Sequence, residues 1–135
     1  MGELDHGWVQ AALIMFLGAR RKEWGIQVIP ELRVSATRYR VPDVTVVLGP
    51  KPSEQILTKP PFLCIEILSP EDRMGRIRER IQDYLTMGVA YVWVLDPRTK
   101  QAYVATATDS FREVTERVLR TESPAFEVPL DEIFS

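Results

Sequence analysis

Between Asp5 and Trp24 the apolar side chains Val9, Ala12, Leu13, Phe16 and Leu17 recur at the spacing of one helical face, with Asp5 placed to cap the start and Gly25 to end it. From Ile26 to Val34 the pattern changes to that of a strand, interrupted at Pro30, and a second strand is predicted from Tyr39 to Leu48, closed by Gly49-Pro50. The four prolines between Pro50 and Pro61 mark a loop. Phe62 to Leu68 reads as a third strand ending at Ser69-Pro70. Glu71 to Met87 follows as a helix with the apolar stripe Met74, Ile77, Ile81 and Leu85, stopped by Gly88. Tyr91 to Leu95 and Gln101 to Thr106 are predicted strands around an Asp96-Pro97-Arg98-Thr99 turn, and a sixth strand is predicted from Phe111 to Leu119.

This order of elements predicts an α/β fold. Strand, helix and strand from Phe62 to Leu95 predict a parallel pair joined by a crossover helix, and the turn at Asp96 predicts a hairpin. A mixed β-sheet flanked by helices follows. With 135 residues and no linker, repeat or low-complexity segment, residues 1–135 are expected to form one domain.

Charge and composition narrow the function. Seventeen Lys and Arg against nineteen Asp and Glu leave a net charge of -2, so any affinity for nucleic acid must come from local patches. Cys64 is the only cysteine, which rules out an internal disulfide and a cysteine-based zinc cluster and suits a reducing, cytoplasmic setting. The early apolar stretch from Ala11 to Gly18 is too short to span a bilayer, so neither membrane insertion nor export is expected.

Two acids stand out within apolar strands. In VPDVTVVLG, side-chain alternation puts Val41, Asp43, Thr45 and Val47 on one face; in FLCIEIL it puts Phe62, Cys64, Glu66 and Leu68 on one face. If the two strands pair in suitable register, the carboxylates meet, and their repulsion raises a pKa unless a cation intervenes. Mg²⁺, which takes oxygen ligands and is commonly held by one or two carboxylates plus phosphate oxygens, would remove the conflict, and so would salt bridges to the abundant arginines. The helix after Glu66 carries Arg73, Arg76, Arg78 and Arg80. Arg76, Arg80 and Tyr84 are four apart and border its apolar stripe, with Arg80 the preferred inward cation; Glu79 and Asp83 are available to pair with the others. Cys64, Trp93, Trp8 and Trp24 read as packing residues.

The series VPDV at 41–44, IEILSP at 65–70, DYLTMGV at 83–89 and YVWVLDP at 91–97 resembles the Uma-two family of restriction endonucleases, within the PD-(D/E)XK nuclease superfamily. The likeness runs from about His6 to the C-terminal LDEIF. It implies a restriction-endonuclease-like core and a metal-dependent phosphodiesterase site, in which Asp43 and Glu66 ligate Mg²⁺, or Mn²⁺ in its place. The wider superfamily carries a Lys two residues after the Glu, where this sequence has Leu68. In the Uma-two pattern the Lys comes instead from the next helix, four residues before the Tyr, and that position is Arg80. An arginine can offset phosphate charge but cannot serve as a base. Arg76 stands where many relatives have an acid. Relatives also begin with a hairpin that carries a Glu; either Glu3 stands in for it here or the site lacks one ligand. His6 falls where relatives have a His near the site, with a capping or surface role as the alternative.

The expected activity is therefore Mg²⁺-dependent endonucleolytic hydrolysis of DNA by Asp43, Glu66 and Arg80. Arg38, Arg40, Arg73 and Arg76 are candidates for contact with the nucleic-acid backbone, together with His6. The rival readings are a degenerate nuclease fold that binds nucleic acid or serves as a scaffold, and a structural domain with both acids salt-bridged. A two-fold homodimer is allowed.

Overall fold

The structure, a computed structural model, describes residues 3–135. Helix α1 (Leu4–Ala19) is followed by the single turn α2 (Arg21–Trp24), and Gly25 closes it in the left-handed conformation at φ 64°. The helix expected from Asp5 to Trp24 is thus broken at Arg20, and its N-cap is Glu3 rather than Asp5. Val9, Leu13 and Leu17 face inward, as their spacing predicts.

Six strands form the central sheet, in the order β1 (Ile26–Pro30), β4 (Val44–Leu48), β5 (Leu63–Ile67), β6 (Tyr91–Asp96), β7 (Gln101–Ala105) and β8 (Arg112–Glu113). β5 and β6 are parallel, joined through α3 (Met74–Met87), and every other pair in this sheet is antiparallel. The crossover and the hairpin at Asp96 match the expected topology.

Three predicted elements change. The long strand from Tyr39 splits into β3 (Tyr39–Arg40), which pairs with β2 (Val34–Ser35), and β4, because Val41-Pro42 removes a backbone donor between them. The second helix starts at Met74 instead of Glu71, since Asp72 accepts the Ser69 N–H at 2.7 Å and folds that stretch into a turn. The predicted sixth strand divides into β8 and β9 (Val118–Thr121). β9 forms a separate hairpin with β10 (Phe126–Pro129), ahead of α4 (Leu130–Phe134).

The core lies on both faces of the sheet. On one, Val44, Val46, Leu63, Ile65 and Ile67 pack against α1 and α4; on the other, Val47, Cys64, Val92 and Val94 pack against Ile77, Ile81 and Tyr84 of α3. β5 is buried on both faces along its whole length, which is why its sequence is apolar almost without break. Its exception is Glu66. Trp24 stacks on Phe126 with ring centroids 4.7 Å apart, as a packing residue should, whereas Trp8 is 61% exposed and only its indole N–H is engaged, donating to the Ser135 backbone oxygen. No helix among the described residues is long and apolar enough to cross a membrane.

Candidate active site

Alternation and register bring the two acids together. β4 and β5 pair with Val46 opposite Leu63, Thr45 opposite Cys64 and Val44 opposite Ile65, so the next position places Asp43 opposite Glu66. Asp43 lies just beyond the end of β4, and its Oδ2 accepts the backbone N–H of Ile67 at 2.7 Å. That bond ties the carboxylate to the residue after Glu66. The Asp43 main chain is held as well, its carbonyl accepting from the Gln10 amide at 2.9 Å and from the Glu31 N–H at 3.2 Å.

Glu66 points to the α3 side, where the helix presents two donors one turn apart. The Tyr84 hydroxyl donates to Oε2 at 2.6 Å and Arg80 Nη1 to Oε1 at 3.1 Å. Tyr84 is fully buried, whereas the Arg80 side chain is 38% exposed and stands at the rim. From the start of α1, His6 reaches round the end of the sheet and puts Nε2 3.2 Å from Asp43 Oδ1. Asp43, Glu66, Arg80 and His6 therefore form one cluster.

The electrostatics follow from burial. Glu66 is 2% exposed, and desolvation together with the nearby Asp43 charge lifts its carboxyl to about 7, although Tyr84 and Arg80 both pull the other way. Burial also raises Asp43, against the Ile67 N–H and His6. Desolvation and the Glu66 carboxylate push the Tyr84 phenol well up, so it acts as a hydrogen-bond donor. The Cys64 thiol is raised by the same two causes and sits in the core beneath the site. Arg80 is the one permanent cation in contact with the pair of acids among the described residues.

Whether these residues suit a divalent ion can be tested on the donor set. Two carboxylates offer the hard oxygen ligands that Mg²⁺ takes, and each oxygen has two lone pairs, so the hydrogen bonds described leave some unused. Among the described residues no group of three or more His, Cys, Asp and Glu side chains converges as a metal cage. An ion held here would complete its shell from water and phosphate, which is the habit of Mg²⁺. Glu3, at the start of α1, lines a cleft with Leu68 and Ser69 beyond the end of β5, and its Oε1 is buried without a hydrogen-bond partner. The chemistry of the set fits.

The other candidates fall elsewhere. Arg40 donates to Asp83 at 2.9 Å and to Glu79 at 3.1 Å, and Arg38 lies 3.3 Å from Asp83, so the acids of α3 pair with β3 and its flank rather than with the helix's own arginines. The Arg40 side chain is only 16% exposed. Arg73, the N-cap residue of α3, and Arg76, in its first turn, are exposed. Arg78 stacks over Phe111. Two contributors were not foreseen: Gln10, whose role depends on a long-range contact, and Tyr84 as a Glu66 partner, which the spacing from Arg80 signals once Arg80 is known to face inward.

Against known proteins, the chain matches over residues 1–131 the Uma2 family, described as "Putative restriction endonuclease". No curated protein matches. Among solved structures it is similar to the crystal structure of a "putative nuclease belonging to DUF820" from Anabaena variabilis ATCC 29413, with a TM-score of 0.84 at 21% identity, covering 99% of this chain and 82% of the other. The mixed α/β architecture is thus a restriction-endonuclease-like fold, and the chain belongs to the Uma2 family of restriction-endonuclease-like proteins.

Proposed function

We propose that the protein is a Mg²⁺-dependent endonuclease that hydrolyses phosphodiester bonds in DNA, as a PD-(D/E)XK-type enzyme. The observation that carries this reading is the placement of Asp43, fastened to the Ile67 N–H, beside buried Glu66 at one end of the sheet. Family membership supports the reaction class. When bound, the metal supplies a water of lowered pKa and offsets charge on the phosphate. Asp43 and Glu66 would hold it. His6 and the Ile67 N–H fix the direction of the Asp43 carboxylate, and Tyr84 fixes that of Glu66. Arg80, half exposed at the rim, is placed to meet a phosphate oxygen; being permanently charged, it stabilises charge and takes no proton.

One observation favours a second reading. Arg80 already occupies Glu66 Oε1, and a guanidinium locked there would leave a nucleic-acid-binding or scaffold protein without turnover. Incubation of supercoiled plasmid and single-stranded DNA with Mg²⁺, Mn²⁺ or EDTA separates the two, with Glu66→Gln run in parallel. Metal-dependent nicking that the variant lacks supports the enzyme. Equal nicking by both proteins assigns the activity to a contaminant, and absence of nicking with retained DNA binding supports the second reading.

A further inference from the structure

Helix α1 is apolar nearly all round, which is ordinarily the mark of a helix covered on every side. One face meets the core, yet the opposite face is open: Leu4 is 78% exposed, Trp8 61% and Met15 69%. At 100° per residue, Leu4, Gly7, Trp8, Ala11, Met15 and Gly18 share a single outward arc, away from the side that carries Val9, Leu13 and Leu17. No polar side chain lies within that arc. His6 projects on the inward side, to Asp43.

The two glycines on this arc are unexplained by the monomer. A Cβ at Gly7 or Gly18 would meet nothing within 4 Å, so the fold itself does not demand them. Glycine inside a helix costs roughly 0.5–1 kcal/mol relative to alanine. A second helix lying close against the arc would demand them.

We infer that the outward face of α1 is a homodimer interface, on which α1 of a second copy packs antiparallel about a two-fold axis at Ala11. The arc is complementary to itself in that arrangement and in no parallel one. With the two Ala11 residues facing each other, Leu4 of one copy falls at the level of Gly18 of the other, and Met15 at the level of Gly7, so each large side chain enters the space a glycine leaves. Charge agrees with shape. Exposed Asp5 flanks the start of the arc, and Arg21 and Lys22, exposed in α2, lie past its finish, so antiparallel packing brings acid toward base at both ends. The helix dipoles also oppose favourably. Such an interface is isologous, as closed dimers require.

Sedimentation equilibrium from about 1 to 100 μM tests this, a range that brackets micromolar affinity. The expected result is a dimer, with Met15→Glu raising the dissociation constant by about 100-fold or more, the size of a buried interface anchor. Gly7→Leu keeps the question apart from folding: it has room in the monomer and a better helix former, so its melting temperature should hold or rise while the dimer is lost. Asp5→Arg alone should weaken association, and adding Arg21→Asp and Lys22→Asp should restore it. A monomer at all concentrations, or a Gly7→Leu dimer as tight as wild type, overturns the inference. So does a monomeric protein that instead co-floats with lipid vesicles, since the face would then serve a membrane surface.

Discussion

Replacing Glu66 by Gln should stabilise the metal-free protein at alkaline pH, and the size of the effect can be worked from the site. In the folded chain the Glu66 carboxyl is raised from 4.5 to about 7. Between those values the native state keeps a proton that the unfolded chain has given up, so stability is fully present at low pH and falls as pH rises toward about 7, then levels off. The interval amounts to about 3 kcal/mol at the usual 1.36 per pH unit. Gln supplies a neutral side chain of the same shape, which can accept from Arg80 and donate to the Tyr84 oxygen, so it escapes the cost of the buried charge. The measurement is urea unfolding followed by tryptophan fluorescence at pH 5, 6, 7 and 8 in EDTA. Wild type and variant should be close at pH 5 and separate by about 3 kcal/mol in favour of Gln at pH 8. Saturating Mg²⁺ at pH 8 should narrow that gap, because an ion that binds only the native wild type adds to its stability. A wild type whose stability relative to Glu66→Gln rises between pH 5 and 8 would refute the electrostatic account of the site.

Tyr84→Phe removes a donor that lowers the Glu66 carboxyl, so the midpoint of the pH-dependent loss of stability should move further upward, read from the same unfolding series. Asp43→Asn should abolish the heat of Mn²⁺ binding in calorimetry at pH 7.5, and an unchanged titration would remove Asp43 from the ligand set. Arg80→Lys should raise metal-dependent nicking if the guanidinium on Glu66 limits turnover; unchanged inactivity would place the defect elsewhere. Leu13→Ala, at a fully buried position of α1, should cost about 2–5 kcal/mol of unfolding free energy. Asp83→Asn should cost about 1.5–3 kcal/mol by weakening the charged hydrogen bond to Arg40 at a buried acid, while Glu79→Gln, at an exposed position, should cost less than about 1.

Much of this arrangement is legible from residue patterns, and the exceptions have physical causes. Alternation alone places Asp43 with Thr45 and Glu66 with Cys64, and the observed register makes the two acids neighbours. The crossover from β5 through α3 to β6 follows from periods of two and 3.6 in succession. The break at Arg20 is invisible to periodicity because the apolar spacing continues across it, and Arg20 is instead drawn back to donate to the Phe16 carbonyl. The β9–β10 hairpin is hidden because its inward residues, Leu119, Thr121, Phe126 and Val128, are split by a turn that the pattern treats as one loop. Arg38 and Arg40 look like free cations in the sequence. Only the docking of β3 beside α3 reveals that Asp83 and Glu79 already hold them.

That docking explains how a sheet end can keep two acids in fixed positions without a network of its own. Residues 40–43 are clamped at both ends: Arg40 by Asp83 of α3 at 2.9 Å, and Asp43 by the Ile67 N–H of β5 at 2.7 Å. One residue on from Asp83, Tyr84 turns to the opposite task and holds Glu66 at 2.6 Å. Adjacent positions of one helix therefore position the strand that carries the first acid and the side chain of the second. Because Asp83 and Tyr84 are joined by a rigid helical backbone, a shift of α3 cannot move one acid without straining the hold on the other. The separation of the two carboxylates is thus set by the pairing of β4 with β5 and by the packing of α3, through Ile77 and Ile81 against Val47, Val92 and Val94, and not by the carboxylates themselves, which repel.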